Sequence, residues 1–315
     1  MHHGRLSKNT AKGLKVLRQR IGRAKIPSSS LDERITIATW NIREFGRKRR
    51  KTAAIHYIAE IIGQFDLVAL TEVRDNLRDL ERVLQFLGPY WKVMFSDYMT
   101  DSGGNRERVA YVYDKRAVVF TGLAAEPSPP RKKVEGEYLP TLSWWRAPFM
   151  ASFRAGNFDF ILITTHIRWG SGADARVAPL KGLADWIHKR RTEPYVIDKD
   201  IVLMGDFNIP KTNDPTYRAI TSRGLRMPAA LRGVRGTNLS ERDRYDQILA
   251  YPRFTKSFTK NGGTVNFVGA NYKKLFPGTR MTKKEFTYQL SDHLPLWIEV
   301  DVDLERERLD QALNR

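Results

Sequence analysis

The chain has no cysteine. That excludes disulfide bridges and thiolate metal sites, and it fits a reducing compartment. Acidic residues are scarce: 35 stand against 54 lysines and arginines, a formal net charge of +19. Such a balance says nothing about fold. It favours polyanionic partners, nucleic acid first and an anionic membrane surface second. No apolar run is long enough to span a bilayer, and the amino-terminal region has no apolar core of the kind a secretory signal carries. A cytoplasmic, monomeric protein without stable membrane association is expected, with secretion of a processed form left open. What is present is a hydrophobic fraction of 41% in 315 residues, enough for a substantial core in one large domain or two.

Residues 1–30 stand apart in composition. They carry Arg5, Lys8, Lys12, Lys15, Arg18, Arg20, Arg23 and Lys25, and no acidic residue. Leu14, Leu17 and Ile21 fit one helical face. The segment as a whole reads as a flexible, solvated basic arm that adds non-specific affinity for nucleic acid. A transit peptide, or a cloning remnant hinted at by His2-His3, also fits.

The body, 31–303, mixes strands and helices. Alternation over 34–40 predicts a strand that turns near Asn41, Arg43 and Gly46. An amphipathic helix over 51–65 and a buried strand over 66–74 follow. A helix over 77–87 is closed by Gly88-Pro89. Strands are expected near 92–96, 108–113, 118–122, 148–154, 158–165, 201–205, 245–250 and 291–300. Helices are expected over 173–191 and 215–223. The proline- and charge-rich stretch 126–140 reads as an exposed loop, and 253–286 as a long basic loop with one short helix. The tail 304–315 is highly charged and expected to fray. One α+β or α/β sandwich accounts for this order of elements.

The chemistry sits where apolar strands end. Ile201-Val-Leu-Met-Gly-Asp-Phe-Asn208 delivers Asp206 and Asn208 two residues apart, hence to one side of a strand, with Phe207 turned into packing. Other strands deliver Asn41, Glu72, His166, and Asp292 with His293, and Asp246 opens a further one. One such residue is an ordinary cap. A set restricted to Asp, Glu, Asn and His suits a hard divalent cation held by oxygen ligands, with imidazoles beside it. Two histidines without cysteine argue against a zinc hydrolase.

Thr39-Trp-Asn-Ile-Arg43, Leu70-Thr-Glu-Val-Arg-Asp75, Thr165-His166, Met204-Gly-Asp-Phe-Asn208, Tyr245-Asp246 and Ser291-Asp-His-Leu-Pro295 occur in the order of the endonuclease/exonuclease/phosphatase superfamily. The chain resembles that superfamily over roughly 35–300, and its deoxyribonuclease I branch most. Asn-Ile-Arg-x-Phe-Gly, Arg106-Glu-Arg108 and Arg146-x-Pro148 carry the finer likeness. The resemblance implies a four-layer α/β/β/α sandwich of two mainly antiparallel sheets. It implies a Mg²⁺-dependent (or Mn²⁺-dependent) DNA endonuclease of little sequence specificity, RNA being a further substrate class, that leaves 5′-phosphate and 3′-hydroxyl. Glu72 would be the principal metal ligand, with Asn41 and Asp292 beside it. Asp206 and Asn208 would position the attacking water or the phosphate. His293 with Asp246, and His166 with Glu107, would be the acid and base in either assignment. Arg43 and Arg74 would contact DNA across the minor groove, and Arg146 a backbone phosphate.

The chain departs from that pattern in places. Thr71 replaces the usual Gln before the metal-binding Glu, and Trp40 replaces a smaller aromatic. An abasic-site repair nuclease, a phosphoinositide or sphingomyelin phosphodiesterase, and a catalytically silent nucleic-acid-binding module are the alternatives. The repair branch has Glu-Thr-Lys where this chain has Glu72-Val73-Arg74. Lipid-cleaving members usually carry an exposed apolar hairpin, which is not found in this sequence. Trp144-Trp145 could stack on bases, and His56 and His188 read as helix-surface residues.

Overall fold

Alternating burial along a few strands sets the architecture. The computed structural model describes residues 1–315 apart from 99, 101–104, 142, 143, 145, 171, 253–256, 304–308, 310, 311, 314 and 315. Its elements are α1 (Lys8–Gly22), β1 (Arg34–Phe45), α2 (Thr52–Ile62), β2 (Leu67–Arg74), α3 (Arg78–Leu87), β3 (Trp91–Phe95), β4 (Glu107–Asp114), β5 (Val119–Ala125), β6 (Arg131–Val134) and β7 (Glu137–Pro140). There follow β8 (Phe149–Ala155), β9 (Phe158–His166), α4 (Asp174–Thr192), β10 (Ile201–Asp206), α5 (Pro215–Thr221), β11 (Asp246–Ala250), β12 (Phe258–Thr264), α6 (Lys283–Gln289) and β13 (Leu296–Asp301).

Along β1, Ile35 and Ile37 enter one core while Ala38, Trp40 and Ile42 enter another. Along β9, Phe158, Phe160 and Leu162 join the first of these cores, and Ile161 and Ile163 join a third. The first core is therefore the seam between two sheets, and the other two lie on their outer faces. One sheet has the order β12-β13-β1-β2-β4-β3, the other β11-β10-β9-β8-β5. Each contains one parallel pair, β1 with β2 and β9 with β10, among antiparallel neighbours. Leu17 of α1, Ile58 of α2, Val83 of α3 and Phe286 of α6 cover the first sheet. Leu183 of α4 and Ile220 of α5 cover the second. The result is the four-layer α/β/β/α sandwich.

Residues 1–30 are not a solvated arm. Ser7 caps α1 by accepting from the Thr10 N–H at 3.2 Å, and Leu14, Leu17 and Ile21 are buried. Each such side chain contributes about 1.5–3 kcal/mol when removed from water. The helical face visible in the sequence found its partners far along the chain, in α2 and the turn at Tyr272–Leu275. Tyr57 of α2 donates to the Leu275 carbonyl at 2.6 Å, and Gly13 lies directly against both; a Cβ there would overlap the Tyr57 hydroxyl and the Leu275 oxygen. Arg20, buried, donates to the carbonyls of Phe267 and Asn271 at 2.9 Å each, and Arg18 pairs with Glu60 at 2.7 Å.

His56 is likewise no surface residue. It is 4% exposed, stacks on Phe86 at 4.0 Å and meets His3 nitrogen to nitrogen at 2.9 Å. His3 in turn reaches Glu60 at 2.7 Å. Burial, with the neighbouring His3 and Arg82, pushes the His56 pKa down to about 4.

Three other expectations change. Residues 126–140 hold a two-stranded hairpin, β6 with β7, whose Tyr138 and Leu139 are exposed. The basic stretch after 253 supplies β12, an edge strand that its glycines disguise: at Gly262 a Cβ would crowd Leu231 and the Trp297 carbonyl at 3.0 and 3.1 Å. The last strand begins at Leu296, after Pro295, which has no N–H to give a ladder, so Asp292 and His293 stand on the loop before it. Trp145, Asp101 to Gly104 and most of the tail lie outside the described residues, and Trp144 packs against Trp186 of α4 at 5.5 Å. No helix among the described residues is long and apolar enough to cross a membrane.

Two outcomes follow from the docked amino-terminal helix. By helix propensity alone Gly13→Ala would stabilise by about 1 kcal/mol. Because of the Tyr57–Leu275 contact it should instead destabilise by about 1–3 kcal/mol, read as a lower midpoint in urea. A raised midpoint would show that α1 does not sit there. The second outcome is pH dependence. Folding lowers the His56 pKa, so the stability this contributes is complete above about 6.5, the unfolded value, and is lost as pH falls from there toward 4. Glu60, whose burial is outweighed by its bonds to Arg18 and His3, is also held below its usual range and adds to the loss as pH falls through its folded value. Tm should therefore drop over that window in the wild type and drop less in His56→Gln. Parallel pH profiles would contradict this.

Candidate active site

The ends of both sheets meet at one carboxylate. Register places it: in β10, Asp206 pairs with His166 on β9 and with Asp246 on β11, so the three stand in a row across the sheet. Gly205 makes this possible. Its φ is +139° and a Cβ would overlap the Thr165 carbonyl, so only glycine lets β10 lie this close to β9. Phe207, fully buried, anchors the strand end in the outer core.

Asp206 is 1% exposed. Its Oδ2 accepts from Asn41 Nδ2 at 2.9 Å and lies 3.6 Å from His166 Nε2 and 3.7 Å from His293 Nε2. Each imidazole has its own carboxylate behind it. His166 Nδ1 meets Glu107 Oε2 at 2.8 Å, and His293 Nδ1 meets Asp246 Oδ2 at 2.7 Å. Such backing fixes ring orientation and raises basicity. Burial opposes the charge on His293, but Asp246 and Asp206 outweigh it and lift its pKa to about 10. At His166 burial and Arg146 oppose, and Glu107 with Asp206 still shifts it upward. Burial in turn pushes the Asp246 carboxyl up, so one proton is held between Asp246 and His293; we place it on the imidazole, which faces two carboxylates.

The opposite wall comes from the first sheet. Asn41 Nδ2 also donates to Glu72 Oε1 at 2.9 Å, and the Glu44 N–H donates to Glu72 Oε2 at 2.7 Å. Glu72 sits at an irregularity of β2 with φ +60°, and Glu44 at φ +44°. A left-handed backbone at non-glycine residues costs about 1–3 kcal/mol each and gathers at functional sites. Burial pushes the Glu72 carboxyl up, but His166, Asn41 and the Glu44 N–H hold it at about 2. Asp292 is more open, its side chain 41% exposed, and pairs with Arg43 at 3.4 Å.

Other expected residues take different places. Because β10 stops at Asp206, strand alternation does not reach Asn208. Its N–H bonds Asp206 Oδ1 at 2.9 Å and its Nδ2 donates to the Ile167 carbonyl at 2.6 Å, tying the loop after His166 to the loop after Asp206. Arg74 is not a surface contact: it is buried, pairs with Glu44 at 3.0 Å and Glu107 at 3.5 Å, and donates to the Asn105 carbonyl. Arg146 is largely enclosed, 3.0 Å from Glu107, with a bond to the His166 carbonyl at 3.3 Å. Both arginines brace the Glu107–His166 pair. Arg43 keeps a partly open guanidinium, 4.2 Å from the Tyr288 ring and 2.6 Å from Thr287 Oγ1.

Sequence reasoning missed Ser291, Glu44 and Trp40 as supports. Ser291 Oγ donates to the Asn41 carbonyl at 2.5 Å and accepts from the His293 N–H at 2.9 Å, joining the two walls. Trp40 Nε1 donates to the His293 carbonyl at 3.0 Å, a bond that phenylalanine in its place would lack. A serine just before Asp292 and an indole beside Asn41 were the only signals.

Among the described residues, two places could take a cation. Asp206, Asp246 and His293 each bring a ligand atom within 4.8 Å of the others. Asn41 and Glu72 form the second, where Asn41 Oδ1 is buried and without a partner. A buried orphan acceptor beside carboxylates is an arrangement a cation would satisfy.

Comparison with known proteins agrees with this fold. Among solved structures, a conserved protein of Enterococcus faecalis V583 superposes with TM-score 0.58 at 18% identity, over 84% of this chain and 99% of that one. The human nocturnin catalytic domain, solved with a sulfate anion, gives 0.57 at 16% identity over 86% and 95%. The mannosyl-6-phosphatase Bt3783 of Bacteroides thetaiotaomicron gives 0.54 at 18% over 84% and 98%. A search of curated protein sequences finds no match. The sequence profile of the Endonuclease/Exonuclease/phosphatase family matches residues 38–293, spanning every one of the polar strand ends described above, and the chain belongs to that family.

Proposed function

We propose that the protein is a divalent-metal-dependent phosphodiesterase that cuts DNA internally with little sequence preference, leaving 5′-phosphate and 3′-hydroxyl, in the manner of deoxyribonuclease I. The observation that carries the reading is the single Asp206 oxygen between two carboxylate-backed imidazoles. Water bound at Asp206 has an acceptor for its proton. The imidazolium Nε2–H groups donate to phosphoryl oxygens and to the departing O3′. The P–O3′ bond breaks as the new P–O bond forms on the opposite side.

Glu72 and Asn41, with Asp292, would hold Mg²⁺. The orphaned Asn41 Oδ1 supports that choice, and His293 can then keep its bond to Asp246. The cation would neutralise charge on a phosphoryl oxygen and the leaving group. The formal charge of +19 supports a polyanionic substrate.

One observation favours a second reading. The β6–β7 hairpin presents Tyr138 and Leu139, 64% and 44% exposed, beside Arg131, Lys132 and Lys133. A hairpin that pairs exposed apolar side chains on one strand with lysines on the other suits an anionic bilayer, so the same chemistry could serve a phosphoinositide or sphingomyelin.

Supercoiled plasmid should be nicked with Mg²⁺ and not with EDTA. His166→Ala should slow nicking by about 10²- to 10⁴-fold. The wild-type rate should fall at least about tenfold between 50 and 200 mM salt, as phosphate contacts are screened. Intact plasmid alongside hydrolysis of phosphoinositide or sphingomyelin in vesicles would move the assignment to lipid. Nicking that survives EDTA would remove the metal from it.

A further inference from the structure

We infer that Trp169 and Tyr245 form a stacking subsite for one unpaired nucleobase next to the reacting phosphate. The inference rests on the nucleic-acid reading and specifies the strand it acts on. Trp169 follows His166 by three residues, and Tyr245 immediately precedes Asp246, so each aromatic is fixed to one of the two imidazole–carboxylate pairs. The Tyr245 ring lies 5.9 Å from that of His293, and the Trp169 ring meets Tyr245 edge-on at 5.2 Å and 76°. The three rings thus lead outward from the Asp206 centre.

Trp169 is 55% exposed, an unusual state for the largest apolar side chain, and yet it is held. Arg176 of α4, itself 4% exposed, places its guanidinium over the indole at 5.0 Å and donates to the Trp169 carbonyl at 2.7 Å. A cation over the ring holds the indole in place while more than half of the residue stays open to a ligand. Every base has a π-face to lay on it, whatever its identity, which agrees with a site of little sequence preference. Bases inside a duplex have both faces covered by their neighbours. The subsite therefore selects a base that is unstacked: in a single strand, at a frayed end, or turned out beside a nick.

The test is binding and cleavage of a single-stranded oligothymidylate, and of the same strand with its bases replaced by abasic tetrahydrofuran residues. Binding is read by anisotropy in EDTA, and cleavage in Mg²⁺. Trp169→Ala should weaken binding of the base-bearing strand by about 5- to 150-fold, the range for one stacked base, and Trp169→Phe should recover most of it. The abasic strand should weaken by less than about twofold on the same substitution. Equal binding of the base-bearing strand by wild type and Trp169→Ala overturns the subsite. Cleavage by the wild type with an unaffected alanine variant overturns the subsite and leaves the nuclease reading standing. Tryptophan-dependent binding without cleavage does the reverse.

Discussion

A carboxylate with almost no contact with water lies where two sheets end, and an ionised Asp206 can stay there only if its surroundings replace the lost hydration. The amide of Asn41, the backbone N–H of Asn208 and two imidazoles do so. Each of those groups needs support of its own. The imidazoles are oriented by Glu107 and Asp246; Glu107 is balanced by Arg146 and Arg74; Arg74 is closed off by Glu44 and the Asn105 carbonyl. The compensation spreads through both sheets, which is why positive-φ residues such as Glu72 and Asn208 are tolerated in it. A site whose donors are already aimed pays no reorganisation when charge develops on a substrate.

Much of this was legible in the sequence because buried strands stop abruptly. Asp206 after Met204-Gly205, His166 after Thr164-Thr165 and Glu72 after Leu70-Thr71 break apolar runs that have no other reason to end in a titratable group. Pairing was less legible. That Asp206, His166 and Asp246 share one row depends on register across three strands, which no local pattern fixes. Arg74 illustrates the limit. An arginine after a strand looks like a surface contact, and only the tertiary position of Glu107 turns it into an internal brace. The same holds for α1, whose apolar face was plain at Leu14, Leu17 and Ile21 while its partner at Leu275 lies hundreds of residues away.

Net charge also reads differently with the structure in hand. Arg20, Arg50, Arg74 and Arg176 are buried and satisfy carbonyls, carboxylates or an aromatic ring within the protein. Those positive charges serve folding and site geometry, and the cations left for a polyanion lie on the exposed face of α1, the β6–β7 hairpin and the rim around Arg43. Arg43 and Lys48 flank Tyr288 at 4.2 and 5.0 Å, so that rim offers cations and an aromatic together. Trp169 offers the same pairing on the other side of the site.

The most direct measurement is the rate of Mg²⁺-dependent phosphodiester hydrolysis by Asp206→Asn beside the wild type. The substitution keeps the shape of the side chain and removes the carboxylate that both imidazoles face. If Asp206 is the centre on which the site turns, the rate should fall by about 10²- to 10⁴-fold in a protein whose Tm shows it is folded. An asparagine variant that hydrolyses the ester at the wild-type rate would contradict the account.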